Sequence, residues 1–178
     1  MLGLLSKSFT KMAKVIQQMS KITVIGIVLV AILALAACTG QDTQKPVTAT
    51  WIQPQVAGDT VSIPVSEVSN NKIVHFNVAV ASGNDMAFMA YHDVDEELNV
   101  RANVCPPCRS IGFSLSKDTL VCDTCRTTFE AKTGDGISGG CIEYPKAAVP
   151  YEISSGKVVM NSNELLVAYQ NTLESGRP

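Results

Sequence analysis

The stretch from Cys105 to Cys141 contains three cysteine elements, Cys105-Pro-Pro-Cys108, Cys122-Asp-Thr-Cys125 and Gly139-Gly-Cys141. Thirteen residues separate the two C-x₂-C pairs. Each pair places two thiolates on one tight turn, and two such turns that face each other complete a tetrahedral sulfur cage. Thiolate sulfur favours zinc, iron or an iron–sulfur cluster over magnesium or calcium. The sequence therefore predicts a metal site with Cys105, Cys108, Cys122 and Cys125 as ligands.

Cys141 is the odd cysteine of this stretch. The two glycines before it allow the backbone to approach another group closely. That property suits a loop folded over a metal site, whereas a free surface thiol in an exported protein would be prone to oxidation. We expect Cys141 beside the two pairs, as a supplementary ligand or as a replacement for one of the four.

Three other uses of these cysteines stay open at this point. A structural zinc without redox chemistry is a common use of a Cys₄ cage. Two disulfides with one free thiol are compatible with export. The segment Cys105-Pro-Pro-Cys108-Arg109 also resembles the active-site turn of exported thioredoxin-like thiol oxidoreductases. In those proteins the turn begins a helix that lowers the thiol pKa, but here the following residues alternate and include Gly112.

The N-terminal residues 1–37 have the layout of a bacterial export signal. Four lysines precede an uncharged, mostly apolar run of 16 residues at 22–37. The run ends in Leu35-Ala-Ala-Cys38, which resembles the lipobox of bacterial lipoproteins, where the cysteine is lipidated and becomes the new N-terminus. An uncleaved transmembrane anchor is the alternative, although 16 residues are few for a span. We expect a lipoprotein signal peptide at 1–37 and a lipid-anchored Cys38 that begins a flexible tether at 38–46.

The expected mature chain is acidic and long enough for one domain. Processing would remove four of the 14 basic residues and none of the 16 acidic residues, which leaves a net charge of −6. An acidic chain without a basic stripe argues against nucleic acid as a partner. Residues 47–178 are sufficient for a single compact domain.

Residue patterning predicts a mainly β (α+β) fold of antiparallel strands. Alternating and β-branched segments predict strands at residues 47–52, 60–65, 73–80, 86–92 and 99–104, the last of which leads into Cys105. Two hairpins are expected at 112–121 and 149–160. Asn161, with Glu164 three residues later, is typical of a helix N-terminus, so we expect one C-terminal helix.

The segment from Asp59 to Met160 resembles the soluble domain of the FtrD-like membrane iron–sulfur proteins. The matching features are the opening segment 61–68, a strand leading into the first cysteine pair, the second pair, the Gly-Gly-Cys element and the closing hairpin. The chain departs from the family pattern in three ways. It has one signal and a lipobox in place of several membrane helices, Arg109 and Arg126 stand where glycine follows each pair, and Ile142-Glu143 follows the third element.

The resemblance implies an iron–sulfur or related iron site outside the cytoplasmic membrane. It also implies a role beside iron-permease systems with ferroxidase-type redox partners, in which the domain passes electrons. We therefore expect an extracytoplasmic, membrane-tethered protein that transfers electrons in support of iron uptake or respiration, rather than an enzyme. The alternatives are a structural-zinc binding module and a thiol–disulfide oxidoreductase.

Overall fold

The computed structural model describes residues 45–79 and 85–176. The expected signal, Cys38 and most of the tether lie outside these residues. Within them, the chain forms 13 short strands in three sheets, together with two helices. The predicted fold class, antiparallel β with a C-terminal helix, is confirmed.

The first sheet, which we call the cysteine sheet, carries the second cysteine pair. Its strands, in spatial order, are β1 (Val47–Thr48), β8 (Phe113–Ser116), β9 (Thr119–Cys122), β10 (Thr128–Glu130) and β11 (Gly136–Ser138). All neighbours are antiparallel. The hairpin expected at 112–121 is β8 and β9, and the second strand ends on Cys122, so the sheet places that thiol directly.

The central sheet delivers the first cysteine pair. Its strands, in spatial order, are β2 (Thr50–Trp51), β5 (Ile73–Val78), β6 (Met86–His92) and β7 (Leu98–Ala102). The strands β5, β6 and β7 form the predicted antiparallel meander, and β7 leads within three residues to Cys105. The pairing of β2 with β5 is parallel, which the sequence pattern does not predict.

The third sheet, the terminal sheet, packs on the other side of the central sheet together with the C-terminal helix. Its strands, in spatial order, are β12 (Glu152–Ser154), β13 (Lys157–Asn161), β4 (Thr60–Pro64) and β3 (Gln55–Ala57). Ser155 and Gly156 join β12 to β13 with φ of 51° and 74°. Two positive φ values are what a tight two-residue hairpin requires, so the predicted closing hairpin is present.

Alternation along the central strands divides the core into two apolar clusters. Phe76 and Phe88 face the terminal sheet and the C-terminal helix. Ile73, Met89 and Tyr91 face the cysteine sheet, where the second cluster includes Phe113, Phe129, Cys105, Cys122 and Cys141. A fully buried side chain of this size contributes about 1.5–3 kcal/mol. Three of the cysteines therefore lie in the core between two sheets.

Two details differ from the sequence prediction. Residues 47–52 form two short strands, β1 and β2, which belong to different sheets because the chain crosses between them. A short helix, α1 (Val65–Asn71), begins at the last residue of the strand predicted at 60–65. It buries only Val68, so its sequence has too few apolar positions to show helical spacing.

The C-terminal helix, α2 (Ser162–Leu173), begins where the sequence predicts. The Asn161 side chain accepts a hydrogen bond of 2.9 Å from the backbone N–H of Asn163. This contact satisfies one of the free N–H groups of the first turn. Leu165 and Ala168 then pack into the core.

Candidate metal centre

The two cysteine pairs lie on loops with the same backbone closure. The N–H of Cys105 donates to the carbonyl of Ser110 at 2.8 Å, and that of Cys122 donates to the carbonyl of Thr127 at 2.9 Å. In each loop the closing residue is five positions after the first cysteine. The residue before it, Arg109 or Arg126, has a φ of 58° or 62°. The left-handed conformation turns the chain back, so that both thiols of each loop project to the same side.

The third element, Gly139 to Cys141, folds over the second loop. The N–H of Cys141 donates to Thr127 Oγ1 at 3.2 Å. Gly139 has a φ of 118°, and a Cβ atom there would lie 2.6 Å from the same oxygen. A glycine is therefore required for the loop to approach Thr127, as the close-approach argument for Cys141 predicts.

Four sulfur atoms converge between these elements. The Sγ atoms of Cys105, Cys108, Cys125 and Cys141 lie within 4.8 Å of one another. The separation is 3.7 Å between Cys125 and Cys141. A tetrahedron with metal–sulfur bonds of about 2.3 Å has edges of about 3.8 Å, so this spacing suits thiolate coordination.

Cys122 stands beside this set of four rather than in it. Its Sγ lies 3.7 Å from that of Cys108. The ligand set expected from the sequence is Cys105, Cys108, Cys122 and Cys125, with Cys141 as a supplementary ligand or as a replacement for one of them, whereas the converging set contains Cys141 and not Cys122. All five cysteines are nevertheless brought to one place, and within residues 45–79 and 85–176 they are free thiols without a disulfide.

The thiols differ in the direction in which their surroundings shift the pKa. Burial raises the pKa of Cys105 and of Cys122, so the protein alone favours their protonated forms. Cys125 is half-buried, and although burial opposes its ionisation, hydrogen bonds with Thr127 lower its pKa to about 6. A bound cation would have to offset the cost of ionising the buried thiols, which is what a metal ion does.

Thr127 contacts three of the five cysteines, and the sequence gives no sign of this role. It is fully buried. Its carbonyl accepts from Cys122, and its Oγ1 accepts from the N–H of Cys141 and lies 3.2 Å from Cys125 Sγ. A threonine two residues after a cysteine pair carries no distinctive sequence signal, so only the structure identifies this role.

Lys146 is the second residue that the sequence does not single out. Its side chain is fully buried, and Nζ donates to the carbonyl of Val104 at 2.8 Å. Burial lowers the pKa of Lys146 to about 8, while the thiolates of Cys105 and its neighbours act to raise it. A lysine at this depth is rare, since its charge must be compensated.

The arginines after each pair do not contact the sulfur atoms. Arg109 and Arg126 are exposed, and the described residues show no ion pair or hydrogen bond of either side chain with a cysteine. The first loop also lacks the helix that a thioredoxin-like site needs, because residues 106–109 form a turn that is followed by β8. The thioredoxin-like alternative therefore finds no structural counterpart here.

Comparisons with known proteins give limited structural likeness. A chain from the complex of reduced oxygenase and oxidized ferredoxin in carbazole 1,9a-dioxygenase has a TM-score of 0.47 at 16% identity, over 60% of this chain and 95% of that one. The ferredoxin of Sphingomonas yanoikuyae B1 has a TM-score of 0.38 at 24% identity, over 48% of this chain and 83% of that one. Both scores are below 0.5, so neither likeness decides the function.

No curated protein matches the sequence. Among the residues that the structure describes, neither helix has the length and apolar character needed to span a bilayer.

The family comparison is decisive, and the donor set agrees with it. Iron–sulfur clusters are held by cysteine thiolates, and the loops gather five cysteines in one place. The model of the FtrD-like family matches residues 68–171, more than half of the chain and all three cysteine elements. The chain therefore belongs to the FtrD-like family of membrane iron–sulfur containing proteins.

Proposed function

We propose that this chain is a membrane-tethered, extracytoplasmic iron–sulfur protein that transfers electrons in support of iron uptake or respiration. The observation that carries the proposal is the convergence of the Sγ atoms of Cys105, Cys108, Cys125 and Cys141 within 4.8 Å, in a chain of an iron–sulfur family. These four cysteines would hold the iron–sulfur group, and Cys122 would lie against it. The bound group would supply one-electron redox chemistry.

The placement of the thiols supports exchange of electrons with a partner. Cys105 and Cys141 are buried, whereas Cys108 and Cys125 are half-buried and reach toward solvent. The protein thus shields one side of the site and leaves the other near the surface. A redox partner such as a ferroxidase-type protein or an iron permease could approach on that side.

The membrane tether and the extracytoplasmic position rest on the sequence. The export signal and the lipobox ending at Cys38 would leave the domain outside the cytoplasmic membrane on a lipid anchor. A lipid-anchored domain of this kind would meet its partner by diffusion in the plane of the membrane.

A structural zinc site is the second candidate. The mutual sulfur spacing, with 3.7 Å between Cys125 and Cys141, also fits a single tetrahedral ion. A zinc ion would stabilise the loops without redox work, since metal binding contributes folding free energy.

Reversible reduction separates the two candidates. The full chain, purified without oxygen, would be reduced with dithionite and reoxidised while its visible absorption is recorded. We expect thiolate-to-iron absorption that bleaches and returns over repeated cycles. A colourless protein with one zinc per chain would overturn the proposal in favour of the structural site.

A further inference from the structure

A fully buried lysine next to the metal centre has no carboxylate partner. The Lys146 side chain is wholly inaccessible to solvent. Its described hydrogen bond is to the carbonyl of Val104, and no carboxylate among the described residues forms a salt bridge with it. Buried charges in proteins are paired, because an isolated ion is costly to remove from water. The compensating negative charge must come from another group.

The position of this ammonium is fixed at several points. The backbone N–H of Lys146 donates to Gly134 at 2.8 Å, and its carbonyl accepts from Arg101 Nη1 at 2.8 Å. Nζ lies 4.4 Å from the centre of the Phe129 ring and 5.4 Å from that of Phe113. The faces of aromatic rings attract cations, so the pocket is built for the charged form.

The Lys146 ammonium lies beside the first cysteine loop. Nζ donates to the carbonyl of Val104, which precedes Cys105 by one residue, and it faces the rings of Phe113 and Phe129. Phe113, Phe129, Cys105, Cys122 and Cys141 also belong to the same apolar cluster. The lysine and the thiolates therefore share one water-poor environment, where charges interact more strongly than in solvent.

We propose that Lys146 is the internal counterion of the metal centre, and that its charge stabilises the ligand thiolates and raises the reduction potential of the bound group. The inference rests on the proposed function. One-electron reduction adds one negative charge to the site and requires no change at Lys146. A fixed positive charge nearby therefore stabilises the reduced state more than the oxidised state. Lys146 is a positioning residue that acts through the ligands.

The test compares Lys146→Met with wild type in redox titrations of the full chain. Methionine keeps much of the apolar stem and removes the charge. We expect the ratio of reduced to oxidised protein at a given potential to fall at least about tenfold, which is about 59 mV for a one-electron couple. Lys146→Arg keeps the charge and should retain most of the wild-type potential. Equal potentials for Lys146→Met and wild type would overturn the proposal.

Two exposed cations provide a matched control. Arg109→Gln and Arg126→Gln each remove one positive charge directly after a cysteine pair. At 1 M salt the Debye length is about 3 Å, so the effect of these exposed charges on the potential should disappear. The effect of Lys146→Met should persist, because its charge is shielded from ions. Loss of the Lys146→Met effect at 1 M salt would contradict a buried counterion.

Two further measurements keep the inference testable. If neither Lys146→Met nor Lys146→Gln folds, a lysine-selective ¹⁵N spectrum of the wild-type chain at pH 7 shows whether the Lys146 amine is charged. A slowly exchanging ammonium signal supports the proposal, and a neutral amine overturns it.

If the wild-type chain contains zinc and no iron, the proposed electron-transfer function is wrong, but the counterion role of Lys146 can still be tested. The counterion is then tested by zinc affinity, which should fall at least about tenfold in Lys146→Met. An unchanged zinc affinity would overturn the inference.

Discussion

Substitution of Thr127 by valine tests how the protein supports its cysteines. Valine preserves the β-branched shape and removes the hydroxyl group. That hydroxyl accepts from the N–H of Cys141 and lies 3.2 Å from Cys125 Sγ. Cys141 is 5% exposed, so its N–H would lose its partner away from water. An unsatisfied buried donor costs about 1–3 kcal/mol, and we expect the free energy of unfolding of the metal-free chain to fall by that amount.

The same substitution should change the ionisation of Cys125. Burial raises the pKa of Cys125, but hydrogen bonds with the Thr127 hydroxyl, the Thr127 backbone and the neighbouring thiols of Cys122 and Cys108 lower it to about 6. Valine removes the contribution of the hydroxyl and should therefore raise that pKa. Urea unfolding measures the first effect. Alkylation of the metal-free chain as a function of pH, with Cys125 resolved by peptide mass spectrometry, measures the second.

Thr127→Ser is the matched control. Serine keeps the hydroxyl and removes a methyl group, which costs about 0.8 kcal/mol or somewhat more where a cavity remains. It should leave the alkylation profile of Cys125 unchanged. The reasoning is refuted if valine and serine give the same profile, or if valine destabilises the chain by less than about 0.5 kcal/mol.

Three further predictions concern the third cysteine element, the C-terminal helix and the anchor. Gly139→Ala should lower the free energy of unfolding by at least about 1–3 kcal/mol, because a Cβ at φ 118° would lie 2.6 Å from Thr127 Oγ1. The control Gly140→Ala places its Cβ in open space and should be nearly neutral. Similar unfolding midpoints for both variants would contradict the close approach of Gly139 to Thr127. Asn161→Ala should lower the free energy of unfolding, measured by thermal denaturation, by about 1 kcal/mol, because it removes the side chain that caps the N–H of Asn163. Asn161→Asp keeps a capping oxygen and should keep the wild-type stability. Equal losses in the two variants would argue against capping. Cys38→Ser should release the chain from membranes or leave it unprocessed, as followed by fractionation and mass; membrane retention with a normally processed mass would contradict the lipid anchor.

The sequence predicts those parts of the fold that depend on local patterning. Alternation places β5 and β6 within two residues of their observed ends, and the Asn161 cap marks the start of α2. The parallel pairing of β2 with β5 joins residues more than 20 positions apart, and alternation within a strand carries no information about such a partner. Alternation also gives no information about how the strands are divided among three sheets.

At the metal centre, the sequence identifies the cysteines but not their surroundings. Spacing predicts that two C-x₂-C turns face each other, and glycines before Cys141 predict its close approach. The order of the five sulfurs in space depends on side-chain directions, so the convergence of Cys141 rather than Cys122 with the other three needs coordinates. Lys146 follows a proline and precedes two alanines, a context that gives no sign of complete burial.

The iron and sulfide content of Cys141→Ser and Cys122→Ser shows which cysteines hold the iron–sulfur group. It is measured beside wild type in the anaerobically purified full chain. Cys141 belongs to the four sulfurs within 4.8 Å, and Cys122 does not. We predict that wild type contains iron and sulfide, that Cys141→Ser loses most of both, and that Cys122→Ser retains the greater part. Loss in Cys122→Ser with retention in Cys141→Ser, or a wild-type chain with zinc alone, would contradict the account.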